Sequence, residues 1–261
     1  MIIDGNDIAE HILSELRRRP TPRKELSAIL IGGNPASVSF LRQKEKTARS
    51  LGVRFRLYRF PASLPQKKLE AAVRAISKNR AVGGVIVQLP IPKKFNRVPI
   101  LNAIGIEKDI DVLNGETTSV LAPASGALRR IFEEIGFNPR GKRAVVLGPG
   151  LLVGRPIASW LMDKVVKLTI LGKTKLDVKT LREADLVVSG TGVPRLISGA
   201  HLKRGAVAID YGYGRIKGVV SGDFDFESVK RAARHITPTP GGTGPIVVAE
   251  LFRNFYDLNS A

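Results

Sequence analysis

The chain has 261 residues, 43% of them hydrophobic, enough for one or two compact domains and too apolar for a disordered segment. Lys and Arg number 42 against 23 Asp and Glu, a net charge of +19. Cysteine is absent, which excludes disulfide scaffolds, thiolate metal sites and a cysteine nucleophile. No apolar run reaches the roughly 18 residues that span a bilayer, so no membrane partner is expected. Asp4, Asp7 and Glu10 stand where a secretory leader would be basic and then apolar, and cytoplasm is the expected location. The charge is evenly spread, with 21 basic against 11 acidic residues in 1–118 and 21 against 12 in 119–261. With 6% aromatics and no basic-aromatic repeat, this argues against nucleic acid as the principal ligand. It suits a phosphorylated cofactor or a multiply carboxylated substrate.

In chain order, Ile8, Ile12, Leu13 and Leu16 form a helical stripe over 8–18. Leu26–Ile31 is a short apolar run stopped by Gly32 and Gly33, a buried strand. A helix over 36–50 and a strand over 53–60 follow. Pro65 opens a helix with Leu69, Val73 and Ile76 on one face, and a strand over 85–88 ends at Leu89-Pro90-Ile91-Pro92. Apolar rather than alternating strands, separated by helices, predict a parallel sheet covered by helices. A second unit begins near residue 119. It reads as a helix over 127–135, a strand over 143–147, a helix over 156–162, and strands over 166–171, 186–189 and 206–210. A final helix over 247–256 could return to the first unit. The expected organisation is a two-domain α/β protein: 1–118, joined by 245–261, and 119–244.

Three places carry chemical signals. Gly148-Pro149-Gly150, with Gly154 opening a helix, lies between a strand and that helix. Glycines there permit a tight turn and the close approach of a phosphate to backbone N–H groups. The spacing is G-x-G-x-x-x-G rather than the dinucleotide fingerprint, so the turn alone fits a structural role better than a nucleotide site. The next strand ends Leu171-Gly172-Lys173-Thr174-Lys175, with no carboxylate for ribose hydroxyls. Those lysines suit a 2′-phosphate and favour NADP, with NAD the alternative, or they merely solvate a loop. In the first unit, Lys44 lies on a predicted helix one turn after Phe40. Gln88 ends a buried strand, where ligand-binding residues collect in parallel sheets. Asp109 and Asp111, in Lys108-Asp109-Ile110-Asp111, could serve a ligand or cap a local turn. His11, His201 and His235 are scattered, and no metal site is expected.

These residues and their spacing resemble the bifunctional methylenetetrahydrofolate dehydrogenase/methenyltetrahydrofolate cyclohydrolase family over essentially the whole chain. The matching blocks are Gly33-Asn34-Pro35-Ala36-Ser37 through Phe40 to Lys44, Gly84-Val85-Ile86-Val87-Gln88-Leu89-Pro90-Ile91-Pro92, and Lys108-Asp109-Ile110-Asp111. Further along come Val153-Gly154-Arg155-Pro156, Ala184-Asp185-Leu186, Ile209-Asp210-Tyr211-Gly212, Gly222-Asp223-Phe224-Asp225-Phe226 and Thr237–Pro245. The resemblance implies a parallel-sheet catalytic domain, a Rossmann-like NAD(P)-binding domain, a folate cleft between them and a homodimer. It implies oxidation of 5,10-methylenetetrahydrofolate with NADP, then hydrolysis of the methenyl product to 10-formyltetrahydrofolate. Substrates would be tetrahydrofolate derivatives, including polyglutamylated ones. By the same resemblance Lys44, Gln88 and Asp111 are catalytic, and Phe40, Asp109, Pro240, Gly241 and Gly242 border the substrate. Gly148, Pro149, Gly150, Gly154, Lys173, Thr174 and Tyr213 serve the cofactor.

Departures from the family pattern cluster on the cofactor side. Gly148-Pro149-Gly150 replaces the usual Gly-Arg-Ser, and Leu171-Gly172-Lys173-Thr174 replaces His-Ser-x-Thr. Tyr213 stands where an aliphatic residue is usual. Elsewhere Phe40 replaces a tyrosine, Pro123-Ala124-Ser125 remains of Pro-Cys-Thr-Pro, and Val112-Leu113 replaces Gly-Phe. They leave open a cyclohydrolase-dominant enzyme with weak or altered dinucleotide use, and a folate-binding paralogue without turnover.

Overall fold

The computed structural model describes residues 1–114, 119–172 and 176–260. The chain packs as two compact units, one of Ile12–Pro123 with Val248–Ala261 and the other of Met1–His11 with Ala124–Val247. The change of unit expected near residue 118 borders 115–118, which lie outside the described residues.

The first unit is built on three parallel strands, β1 (Glu25–Ile31), β2 (Phe55–Phe60) and β3 (Val82–Val87), in the order β2-β1-β3. β1 is central and buried from Leu26 onward, and β3 is buried at every residue, as their largely apolar sequences require. Helix α1 (Gly5–Arg17) leads into β1. Helix α2 (Pro35–Ser50) follows β1, its start fixed by Asn34, whose side chain accepts from the N–H groups of Ala36 and Ser37 at 3.0 and 3.1 Å. Pro35 occupies the first turn, where a missing N–H costs nothing. Helix α3 (Gln66–Lys78) buries Leu69, Val73 and Ile76, the stripe that the sequence displays. A short helix α4 (Arg97–Leu101), capped by Asn96, lies beyond the 85–92 segment and has too few residues to show a period.

The second unit carries five parallel strands: β4 (Arg143–Leu147), β5 (Lys167–Leu171), β6 (Leu186–Ser189), β7 (Val207–Asp210) and β10 (His235–Ile236), in the order β10-β7-β6-β4-β5. A hairpin of β8 (Gly214–Ile216) and β9 (Val219–Ser221) stands apart from that sheet. Helices α5 (Pro123–Ile135), α6 (Gly154–Leu161), α7 (Val178–Glu183) and α8 (Phe226–Ala232) alternate with the strands. Val145, Leu147, Leu181, Val187, Ile197, Phe224, Val229 and Ile236 form one buried cluster of this unit. The first residues of the chain extend the sheet: Ile3 N–H donates to Ile236 O at 2.9 Å, and Ile236 N–H to Met1 O at 3.1 Å. Sequence reasoning missed β10, α8 and the hairpin, because segments of two to seven residues carry no readable period.

Helix α9 (Thr243–Asp257) closes the chain, and its Val248–Asp257 part belongs to the first unit. Phe252, Phe255 and Tyr256 are fully buried there. Asn254 donates to Ile110 O and Leu121 O at 2.9 and 2.7 Å, locking the helix to two loops. Gly84 makes room for it: a Cβ at that position would stand 2.8 Å from Phe255 Cδ2 and 3.1 Å from Ile110 Cγ2. Both neighbours are buried and cannot withdraw. We therefore expect Gly84→Ala to destabilise the protein by about 1–3 kcal/mol, measured as a lower urea midpoint.

Candidate active site

In the first unit the expected catalytic residues come from three elements. Lys44 projects from α2, half-buried, and its Nζ donates to Gln88 Oε1 at 3.3 Å. Gln88 directly follows β3, where its N–H donates to Ile29 O at 2.9 Å. Its own Nε2 donates to Leu89 O at 2.8 Å, which turns the amide so that Oε1 faces the lysine. Asp111 is buried, and burial pushes its carboxyl up from the ordinary range against the opposing pull of the Lys44 charge. Phe40 sits one turn before Lys44, half-buried. An amine, an amide and a carboxyl of this kind can together hold a polar heterocycle and move a proton.

Asp109 takes a different place from the one expected beside a substrate. It is 1% exposed, and its Oδ2 accepts from the N–H groups of Leu113 and Asn114 at 2.7 and 2.8 Å. Burial pushes this carboxyl up to about 6, backbone hydrogen bonds oppose the rise and the Asp111 charge adds to it. Asp109 thus clamps the turn that carries Asp111 and presents nothing to solvent. Within that turn Val112 has φ +57°, a left-handed conformation unusual for a β-branched residue. Lys108, also buried, donates to Asn79 O at 2.9 Å and to Ser77 O, and burial lowers its pKa.

In the second unit β4 lies between β5 on one side and β6 on the other, so the strand order reverses at its carboxyl end. In open parallel sheets that reversal marks the ligand crevice. The glycine turn is there. Gly148 has φ +78°, and a Cβ on it would stand 2.9 Å from Gly190 O. A Cβ on Gly154, the first residue of α6, would stand 2.1 Å from Gly148 O. These two glycines are sterically required, whereas at Gly150 the nearest obstacle is 3.9 Å away. Pro149 is exposed beside them. A cradle closed to side chains and open on its outer face fits the pyrophosphate of a dinucleotide. Tyr213 is partly exposed, and its carbonyl oxygen would lie 3.7 Å from a Cβ on Gly192. Lys173 and Thr174 lie outside the described residues.

The glycines near the C-terminus are pinned in this same unit. Gly5 N–H donates to Gly241 O at 2.8 Å, and a Cβ on Gly242 would stand 2.2 Å from Pro238 O. Pro240, joined to Thr239 by a cis peptide bond, is exposed. Asp210, at the end of β7, holds both ends of the loop: its N–H donates to Thr237 Oγ1, and its carbonyl accepts from Thr243 Oγ1, both at 2.7 Å. Its carboxylate is fully occupied as well, Oδ1 accepting from Gly212 and Asp223 N–H and Oδ2 from Phe224 N–H. Burial, aided by the neighbouring Asp223 charge, pushes Asp210 up to about 7. Among the described residues no group of three or more His, Asp or Glu side chains could hold a metal ion.

Comparison with known proteins accords with this arrangement. The description "Tetrahydrofolate dehydrogenase/cyclohydrolase, catalytic domain" matches residues 3–111, and the NAD(P)-binding domain of the same name matches 122–261. The chain belongs to this family. A bifunctional protein FolD from Aromatoleum aromaticum is 34% identical over 97% of this chain and 94% of its own. A solved FolD dehydrogenase/cyclohydrolase from Campylobacter jejuni superposes with a TM-score of 0.92 at 28% identity, covering 99% of this chain and 98% of the other. The Trypanosoma brucei enzyme, solved with NADP and an inhibitor, gives 0.92 at 30%, covering 99% and 96%.

For a member of the tetrahydrofolate dehydrogenase/cyclohydrolase family, sequence reading missed the structural weight of Asp210 and Asp223. Both lie in blocks that match the family, but nothing in a linear sequence shows that two carboxyls are buried together. Two expectations follow from this geometry. Glycine tolerates the Val112 conformation, so Val112→Gly exchanges strain of about 1–3 kcal/mol for a smaller entropy cost. The thermal midpoint should rise by roughly 2–4 °C. The second concerns pH. The native state holds the Asp210 proton more tightly than the unfolded chain, whose ordinary value is 3.8, so this contribution is complete below pH 3.8. It is lost as pH rises through about 7, with a limit of about 4 kcal/mol. Urea unfolding at pH 4.5, 6.0 and 7.5 should show a stability loss in the parent that is markedly flatter in Asp210→Asn.

Proposed function

We propose that this chain oxidises 5,10-methylenetetrahydrofolate to the 5,10-methenyl form with NADP and hydrolyses that product to 10-formyltetrahydrofolate, using Lys44, Gln88 and Asp111. The observation that carries the reading is the Lys44–Gln88 contact beside a buried carboxyl, in a chain matched by both family domains. Asp111 accepts from the amino and ring N–H groups of the pterin, which would reject analogues lacking those donors. In the hydrolytic step water adds to the cationic methenyl carbon and the adduct loses one proton; the bond from that carbon to N5 then breaks as N5 is protonated, and the remaining hydroxyl proton leaves to solvent as the formyl C=O forms. Lys44 is the base and acid that carries the first proton to N5. Gln88 orients the amine without adding charge. Phe40 packs against the folate ring but offers no hydroxyl.

For the oxidation, Gly148, Pro149, Gly150 and Gly154 would hold the dinucleotide, with Lys173 and Thr174 at its 2′-phosphate and Tyr213 beside it. The bound nicotinamide supplies the hydride acceptor. The protein's part is to align the one-carbon bridge and exclude water from the wrong step. Pro240, Gly241 and Gly242 form a folate-facing loop whose pinned glycines support that role. We assign 1–118 with 245–261 to the folate domain and 119–244 to the dinucleotide domain, with Met1–His11 packing in the compact unit of the latter. Exposed apolar residues on and beside edge strand β5 (Met162, Val166 and Ile170) support a homodimer. A cytoplasmic protein with no nucleic-acid ligand is part of the same reading. Among the described residues no helix is long and apolar enough to cross a membrane. A cyclohydrolase-dominant balance is favoured by one observation, Pro149-Gly150 standing where the family has an arginine and a serine.

Lys44→Met retains most of the stem and removes the amine. Single-turnover hydrolysis of methenyltetrahydrofolate, corrected for the spontaneous reaction, should fall about 10²- to 10⁴-fold with folate affinity largely kept. Lys44→Arg, which cannot become neutral, should be nearly as slow. Parent-like hydrolysis in Lys44→Met would remove Lys44 from the mechanism.

A further inference from the structure

We infer that Asp223 is a positioning residue for the dinucleotide, holding the loop after β6 against the glycine turn; this rests on the dinucleotide use proposed above. Asp223 is fully buried just after β9, away from any surface that a ligand could touch. Its Oδ2 accepts from Ser189 Oγ at 2.7 Å and from Thr191 N–H at 2.6 Å. Those two bonds fix the chain where it leaves the carboxyl end of β6.

The segment so fixed is the wall of the glycine turn. A Cβ on Gly148 would stand 2.9 Å from Gly190 O and 3.0 Å from Thr191 Cα, and a Cβ on Gly190 would stand 2.8 Å from Val153 Cγ1. The turn and the loop therefore touch backbone to backbone, and a displacement of Thr191 must move the phosphate cradle. Thr191 continues the brace, its Oγ1 accepting from Val193 N–H at 3.1 Å. On the other side Tyr211 N–H donates to Ser189 O at 2.7 Å, which joins the loop carrying Tyr213 to the same support.

The surrounding residues are shaped for this pair of carboxyls. A Cβ on Gly212 would stand 2.1 Å from Asp223 Oδ1, and one on Gly222 would stand 2.1 Å from Asp210 Oδ2. Asp223 N–H donates to Asp210 Oδ1 at 3.1 Å, so Asp210 anchors the backbone from which Asp223 reaches the loop. Asp223 Oδ1 is buried without a hydrogen-bond partner among the described residues. A buried oxygen left unpaired is costly, so the carboxyl is held there for what its other oxygen does.

The test is titration of the purified protein with NADP, followed by fluorescence and by the NADP-induced rise in Tm. Asp223→Ala leaves Ser189 and Thr191 without their acceptor and should weaken NADP about 10- to 100-fold. Asp223→Asn can turn its amide oxygen into the place of Oδ2 and should stay within about threefold of the parent, with KM for the dinucleotide moving in the same order and kcat moving less. If Asp223→Ala fails to fold, Ser189→Ala decides, with weakening of about threefold or more expected. Unchanged affinity in the folded Ala variant, or in Ser189→Ala where that one decides, overturns the inference, even if Tm has dropped. So does Asp223→Asn binding as weakly as Asp223→Ala. A parent that binds no NADP overturns the dinucleotide reading and this inference together, whereas a parent that binds beside an equally competent Ala variant overturns this inference alone.

Discussion

Asp210 makes five hydrogen bonds, and the carboxyl edge of the five-stranded sheet depends on them. Its peptide N–H and carbonyl take the hydroxyls of Thr237 and Thr243, and its carboxyl takes three backbone N–H groups. A carboxylate removed from water is unfavourable unless such donors replace its hydration. Here those donors come from two loops, Gly212 after β7 and Asp223 with Phe224 after β9, and the Asp210 backbone adds Thr237 and Thr243, so one residue ties together segments that share no secondary structure. The loop of Pro240, Gly241 and Gly242 and the loop of Tyr211–Tyr213 are both set by it. Loops fixed in this way can meet a ligand with little ordering cost.

The other unit uses the same device on a smaller scale. Asp109 closes the turn 109–114 by taking two backbone N–H groups on one oxygen. The turn forces Val112 into a left-handed conformation and carries Asp111 into a buried position near Lys44. Strain and buried charge are both unfavourable, and both sit within three residues of the group that would read the pterin. The rigid neighbours that sustain them are β3 and α9, whose Phe252, Phe255 and Tyr256 supply the apolar burial.

The departures from the family pattern sort by this geometry. Pro149 is exposed and at Gly150 a Cβ would meet nothing closer than 3.9 Å, so the fold accepts the loss of the family's charge and hydroxyl there. Gly148 and Gly154, which face inward, are retained because backbone atoms occupy the space that a Cβ would need. Val112 is the exception: the backbone keeps a conformation suited to glycine although glycine is gone.

Much of the architecture was written in local patterns. The apolar runs at Leu26–Ile31, 143–147 and 186–189 announced parallel strands, and the Leu69-Val73-Ile76 spacing announced a helix face, because burial on both sides or on one side leaves that mark on residue order. The Lys44–Gln88 pairing was legible only through the family resemblance, since 44 residues separate the partners and neither carries a local signature. Asp109 shows the limit most clearly. Its sequence neighbourhood fits a ligand-binding carboxylate and a turn clamp equally well, and only the positions of the Leu113 and Asn114 N–H groups distinguish them. The joint burial of Asp210 and Asp223, 13 positions apart, was likewise decided by tertiary structure. Sequence determines which residues can be buried or turned by their own neighbours. Which distant backbone donors reach a given carboxyl is settled only when the strands have paired and the loops have been brought to one edge.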